Sequence, residues 1–347
     1  MSRWVESLEE QAEDLLPEAV HRYFRQGARD GVTAAEAVSA WDGYRFLPRV
    51  LHDVTQVDTS TDALGVPLRS PMAVAPTTLQ RAAHPEGEVA MARAVADVGS
   101  LLVVSSNAGC TFEDIAATGV NWWLQAYLTA DRAACLPLLR RATDTGARAV
   151  VLTVDTPVVG TKYDGVDETV WDVADPAWLR VNFAGSPPGS PMGHEKATDL
   201  GPADIAWLGE VTGLPVVVKG VLRPDDARRS VEAGASAIWV SNHGGRQLDY
   251  AAPTAGCLGP VAEEVGSDAA VYVDGGVRSA RHVLAAVALG AGAVFLGRLP
   301  LYALATQGSA GVQRLLEELS EELVEAMMLA GCPDLAAVAT ARLTSTA

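Results

Sequence analysis

Eight short apolar runs recur along the chain: MAVA (72–75), LLVV (101–104), WWLQA (122–126), AVVLTV (149–154), PVVVK (215–219), AIWV (237–240), AVYV (270–273) and AVFL (293–296). Each is apolar almost throughout rather than at alternate positions, the pattern of strands buried on both faces in a parallel sheet. Between them lie Ala-rich stretches of helical character, including GEVAMARAVADVG (87–99), RPDDARRSVEAG (223–234) and SARHVLAAVALG (279–290). Several close on glycine, the usual helix stop.

Eight evenly spaced strand–helix units predict an α/β chain closed into a (β/α)8 TIM barrel, which needs roughly 250 residues. An open doubly wound sheet is the competitor, and the even spacing favours closure. The whole chain, 1–347, reads as one domain: a cap with two helix-like stretches over 1–60, the barrel over 61–310 and C-terminal helices over 311–347. The amphipathic stretch GVQRLLEELSEELVEAMMLAG (311–331) packs on the barrel or on a neighbouring copy. After the fourth strand, residues 160–203 form a long connection dense in Pro, Gly and Asp, expected to be a lid or mobile loop.

Composition narrows the partners. A formal net charge of −17 disfavours nucleic acid and anionic membrane surfaces, which call for a basic face. The most apolar window, Val283–Gly297, is interrupted by Gly290 and Gly292 and is too short to span a bilayer. Cys110, Cys135, Cys257 and Cys332 are widely spaced, with no C-x-x-C pair and no His at ligand spacing. We therefore expect reduced thiols in a cytoplasmic chain and no metal site. The acidic, amphipathic N-terminus is not a secretory signal.

In TIM barrels the chemistry sits at the C-terminal ends of the strands, and here every such end is polar. They carry Pro76, Thr77 and Thr78; Ser105 and Asn107; Gln125 and Tyr127; Thr153 and Asp155; Lys219; Ser241 and His243; Asp274, Gly275 and Gly276; and Gly297 and Arg298. DGGVR (274–278) and LGR (296–298) supply backbone N–H groups, a helix start, Arg278 and Arg298, the makings of a phosphate site. One such glycine pair alone would only make a turn. Lys219, ending an apolar strand, must face an anion or an electron-rich ring. His243 is the one histidine of six at a strand end; sharing a pocket with Asp155, Tyr127 and Arg246, it reads as a general base with an orienting carboxylate. His21, His52, His84, His194 and His282 lie in helices and connections.

From APTTLQRAAHPEGE through LQAYLTADR, LTVDTP, LPVVVKGV, SNHGGRQLDY and VDGGVRS to LGR and LAGC, the chain resembles the FMN-dependent α-hydroxy acid oxidase and dehydrogenase family. SNHGGRQLD is the most specific of these motifs, whereas DGGVR alone is shared by several phosphate-binding barrels. The resemblance implies FMN as cofactor. Its phosphate would lie at Asp274, Gly275, Gly276, Arg278, Gly297 and Arg298, and its ring against Pro76, Thr77, Thr78, Ser105, Gln125, Thr153, Lys219 and Ser241. It also implies His243 as base, Asp155 steadying the imidazolium, Lys219 beside the reduced flavin, Tyr23 and Tyr127 on the substrate oxygens and Arg246 on its carboxylate. The implied reaction takes an (S)-2-hydroxy acid to the 2-keto acid with O2 as acceptor, in a homotetramer.

Two positions depart from the family pattern. Lys162 stands where a second carboxylate-binding Arg is usual, keeping the charge without the bidentate fork, or else pointing to solvent. Asn107 stands where glycolate oxidase-like members have a bulky Trp and others a small residue; a small polar side chain opens the pocket and offers a hydrogen bond to a substrate side chain. Both favour a larger or functionalised substrate, with an FMN-dependent oxidative decarboxylase or tailoring oxidase as the alternative. A flavin-binding protein without turnover is a weaker reading against the complete set Tyr23, Tyr127, Asp155, Lys219, His243 and Arg246. So is a related phosphate-binding barrel, such as an isomerase or dehydrogenase using FMN or a nucleotide, which needs no paired His243 and Arg246.

Overall fold

The computed structural model describes residues 3–163, 168–183 and 196–345. Eight parallel strands close a barrel: β1 (Met72–Val74), β2 (Leu101–Ser105), β3 (Asn121–Ala126), β4 (Val150–Thr153), β5 (Val216–Val221), β6 (Ala237–Val240), β7 (Ala270–Val273) and β8 (Ala293–Leu296). Closure is made by β8 on β1, with Phe295 opposite Ala73. All eight apolar runs of the sequence are these strands.

The strands separate two cores, which is why their sequences are apolar on both faces. Inward-facing Trp123, Trp239, Tyr272 and Phe295 fill the barrel, with the Trp239 and Phe295 ring centroids 3.9 Å apart. Truncating a buried ring of this size typically costs about 3–5 kcal/mol, so the barrel has a rigid floor. Outward-facing residues such as Val104, Leu152 and Val218 pack under the surrounding helices.

The cap differs from the two helices expected. Three form, over Arg3–Leu15, Glu18–Arg25 and Val32–Asp42, the third starting after Gly31. The third is tied to the barrel's top loops: Trp41 Nε1 donates to the Gly275 carbonyl (2.7 Å) and Thr33 N to Asp249 Oδ1 (3.0 Å). The carboxylate of Asp249 thus fixes the cap. Two small sheets escaped the sequence reading. Hairpin Thr61–Ala63 with Val66–Leu68 plugs the barrel's inner core from its N-terminal end, and Tyr44–Leu47 pairs antiparallel with Arg342–Ser345.

Helix Arg298–Ala330 begins directly after β8 and bends at Gln307 and Gly308, close to the expected boundary at residue 310. Its apolar stripe, including Leu315, Leu319, Leu323 and Met327, is buried in this chain's own core. The connection after β4 is not wholly irregular: a turn of helix over Val170–Val173 and a 3-10 helix over Pro176–Arg180 stand in it. Residues 164–167 and 184–195, His194 among them, lie outside the described residues. Among the described residues, no helix is long and apolar enough to cross a membrane, and the four cysteines are unpaired.

Candidate active site

The C-terminal ends of the strands open into a cavity of about 920 Å³, covered by helix Glu18–Arg25 and the 170–180 segment. Pro76, Thr77, Thr78, Ser105, Asn107, Gln125, Tyr127, Thr153, Lys162, Lys219, His243, Arg246 and the 274–278 and 297–298 loops all line it. Asp155 and Ser241 stand just behind, acting through the side chains they touch.

Along one wall runs a row of buried polar groups. Gln125 Nε2 donates to Thr153 Oγ1 (3.0 Å), and Ser105 Oγ lies 3.4 Å from Gln125 Oε1. Lys219 Nζ donates to Ser241 Oγ (2.8 Å) and pairs with Asp274 Oδ2 at 2.9 Å, while Ser241 Oγ donates to Asp274 Oδ1 (2.7 Å). Asp274, read from sequence with the phosphate loop, therefore gives its carboxylate to Lys219 and Ser241. A pair this buried adds little stability over an apolar equivalent; what it does is hold an ammonium at the cavity wall.

At the other end the backbone comes close. A Cβ at Gly276, whose φ is +78°, would lie 2.1 Å from the Ala37 carbonyl of the cap. Gly276→Ala is therefore expected to cost about 1–3 kcal/mol and to loosen cap and loop together, read as a lower Tm and weaker FMN retention. Beside this loop, Arg278 and Arg298 are half-buried, and among the described residues neither meets a carboxylate. Arg298 spends its donors on the carbonyls of Phe24 and Gly244. Burial lowers both guanidinium pKa values, that of Arg298 to about 10. Two desolvated cations beside the start of helix Arg298–Ala330 suit a phosphate dianion. The polar row, the ammonium and this anion site fit FMN along the length of one cavity.

The third cluster pairs an imidazole with a carboxylate, an arrangement that can carry a proton. His243 takes a left-handed φ of 58° directly after β6, and its Nδ1 lies 2.9 Å from Asp155 Oδ1. Thr156 Oγ1 donates to the same carboxylate oxygen (2.9 Å). Room for Asp155 comes from Gly220 in β5, where a Cβ would fall 2.6 Å from the Asp155 Cβ. Burial alone would raise the Asp155 carboxyl, but His243, Lys219 and Thr156 outweigh it and hold it below the usual carboxylate range. Burial lowers His243 despite Asp155. The pair therefore rests as carboxylate and neutral imidazole, with Nε2 left to accept a proton.

Around it, the Arg246 guanidinium stands over the Tyr23 ring at 4.9 Å, and its Nη1 donates to the carbonyls of Tyr23 (2.6 Å) and Gln26 (2.9 Å). Burial raises the phenols of Tyr23 and Tyr127, keeping both as hydrogen-bond donors. The two glycines of SNHGG divide: Gly244 lines the cavity beside Arg298, while Gly245 serves the cap, where a Cβ would strike Ala34 and its carbonyl accepts from Ala28 N (2.8 Å). Lys162 neither points to solvent nor reaches across the cavity. Its Nζ donates to the carbonyls of Gly160 (2.6 Å) and Arg246 (2.7 Å), clamping the two loops together. Thr156, Gly220 and Lys196 were not assigned from sequence. Gly220 was visible in LPVVVKGV, whereas nothing in the sequence singles out Lys196.

Fold and site together define a flavin-type (β/α)8 barrel with an acid–base dyad at the mouth. Residues 12–345 match the FMN-dependent dehydrogenase family, and the chain belongs to it. It is 40% identical to glycolate oxidase 3 of Arabidopsis thaliana, covering 93% of this chain and 91% of that protein. Its identity to 2-hydroxyacid oxidase 1 of Homo sapiens is also 40%, covering 94% and 92%. A crystal structure of mandelate oxidase with benzoyl-formic acid superposes with a TM-score of 0.89 at 39% identity, covering 98% of both chains.

Proposed function

We propose that this protein oxidises an (S)-2-hydroxy acid to the 2-keto acid with FMN, with His243 as the base and O2 as the electron acceptor. The observation that carries the reading is the His243–Asp155 pair at 2.9 Å, at the mouth of a cavity whose other walls suit a flavin. FMN, when bound, takes the two electrons. Lys219 would supply positive charge to the bound flavin, and Arg278 and Arg298 would hold its phosphate. Arg246 holds the substrate carboxylate, Tyr23 and Tyr127 donate to the substrate oxygens, and His243 accepts the proton at Nε2. Asp155 keeps Nδ1 protonated and stabilises the imidazolium.

The pH dependence follows from the state of His243. Its folded pKa lies below the ordinary 6.5, so the imidazole is neutral and competent at pH 7. Flavin reduction at limiting substrate should therefore be flat through neutrality and be lost as pH falls through a value below 6.5, as His243 takes up a proton beforehand. Anaerobic stopped-flow reduction across pH tests this. An acid limb lying above 6.5, or none that disappears with His243, contradicts the assignment. The resemblance also supports assembly as a homotetramer in the cytoplasm.

A further inference from the structure

We propose that the 2-hydroxy acid taken by this site is a dicarboxylic one, and that Lys196 is the specificity-determining contact for its second carboxylate. The proposal rests on the 2-hydroxy acid reading above and narrows it.

Lys196 comes back into the cavity from the connection after β4. Its backbone is fixed there: Ala197, almost fully buried, donates its N–H to the Leu128 carbonyl just beyond β3 (2.8 Å). The Lys196 ammonium stands 3.8 Å from the centroid of the Tyr127 ring. The Tyr127 hydroxyl bonds Thr156 and lies within the fields of Asp155, Tyr23 and Arg246. Tyr127 thus joins the two groups: its hydroxyl faces the His243–Asp155 cluster while Lys196 covers its ring.

Three of the other cations are committed. Arg246 is the clamp for the carboxylate next to C2, Lys162 bonds the carbonyls of Gly160 and Arg246, and Lys219 is held by Ser241 and Asp274. Among the described residues, no carboxylate or carbonyl oxygen lies in hydrogen-bonding contact with the Lys196 ammonium, and burial, opposed by the more distant charge of Asp155, lowers its pKa to about 8. A cation desolvated over an aromatic ring is stabilised by an arriving anion. The field around it agrees: eight Lys or Arg side chains line the cavity against Asp175 and Asp274, in a chain of net charge −17. Fewer would serve a phosphate and one carboxylate; Arg22, paired with Glu18, and Arg180 line the same cavity as Lys196. Such focusing draws in a dianion. Asn107 adds a small polar side chain to the same cavity.

The test compares anaerobic flavin reduction of the holoenzyme by acids matched in chain length: (S)-2-hydroxybutanoate against (S)-malate, and (S)-2-hydroxypentanoate against (S)-2-hydroxyglutarate. The efficiency of reduction should favour the diacid by about tenfold or more in at least one pair, the worth of a charge-assisted contact. Lys196→Met should lower efficiency for that diacid at least about tenfold more than for its neutral partner, and Lys196→Arg should keep the preference. Preference for the neutral acid in both pairs, or equal losses for both acids in Lys196→Met with FMN still bound, overturns the proposal. Reduction by neutral acids alone overturns only this proposal. No reduction by any acid overturns the functional reading as well.

Discussion

Replacing His243 with alanine is expected to slow anaerobic flavin reduction by about 10²–10⁴-fold, the usual worth of a positioned general base. FMN should stay bound, because His243 faces the cavity from the Asp155 side while the phosphate end rests on Arg278 and Arg298. The size of the effect follows from three facts acting together. The imidazole is desolvated and neutral, its Nδ1 is engaged by a carboxylate, and the backbone is held in a left-handed turn that few residues adopt. A fall in rate at unchanged flavin content assigns the proton transfer to His243. Reduction at the unmodified rate would remove it from the chemistry.

The second large effect is expected at Arg246. Arg246→Met should lower the efficiency of reduction by about 10²–10³-fold, since losing one partner of a desolvated charge pair costs roughly 2–5 kcal/mol. Its loss should appear mainly as weaker substrate binding. Arg246 also donates to the carbonyls of Tyr23 and Gln26, so part of the cap hangs on it. Arg246→Lys separates the roles: it retains the charge but not the planar fork, and should recover only part of the binding. Equal efficiency in the methionine variant and the unmodified enzyme would place the carboxylate elsewhere.

The barrel was legible because burial on both faces leaves a continuous apolar run that neither a helix nor a half-exposed strand would show. The site was legible because each strand end breaks that run with a polar residue, from Thr78 round to Arg298. The hairpin Thr61–Ala63 with Val66–Leu68 was not, because three-residue strands carry no periodicity. The third cap helix was hidden for a different reason: over Val32–Asp42 only Thr33, Ala37 and Trp41 are buried, a thin stripe to read. Lys162 lines the cavity beside Arg246, but its bonds to two backbone carbonyls depend on how two loops approach, which spacing does not encode. Lys196 is the extreme case, carried into the cavity by a connection with no regular pattern.

The most direct test is anaerobic mixing of the FMN-loaded protein with a panel of (S)-2-hydroxy acids, following flavin absorbance and product together, then admitting air. The expected result is bleaching by at least one acid with one equivalent of the matching 2-keto acid formed per flavin, and recovery of the oxidised spectrum in air. Bleaching by none of the acids, or bleaching without 2-keto acid, would contradict 2-hydroxy acid oxidation at this site.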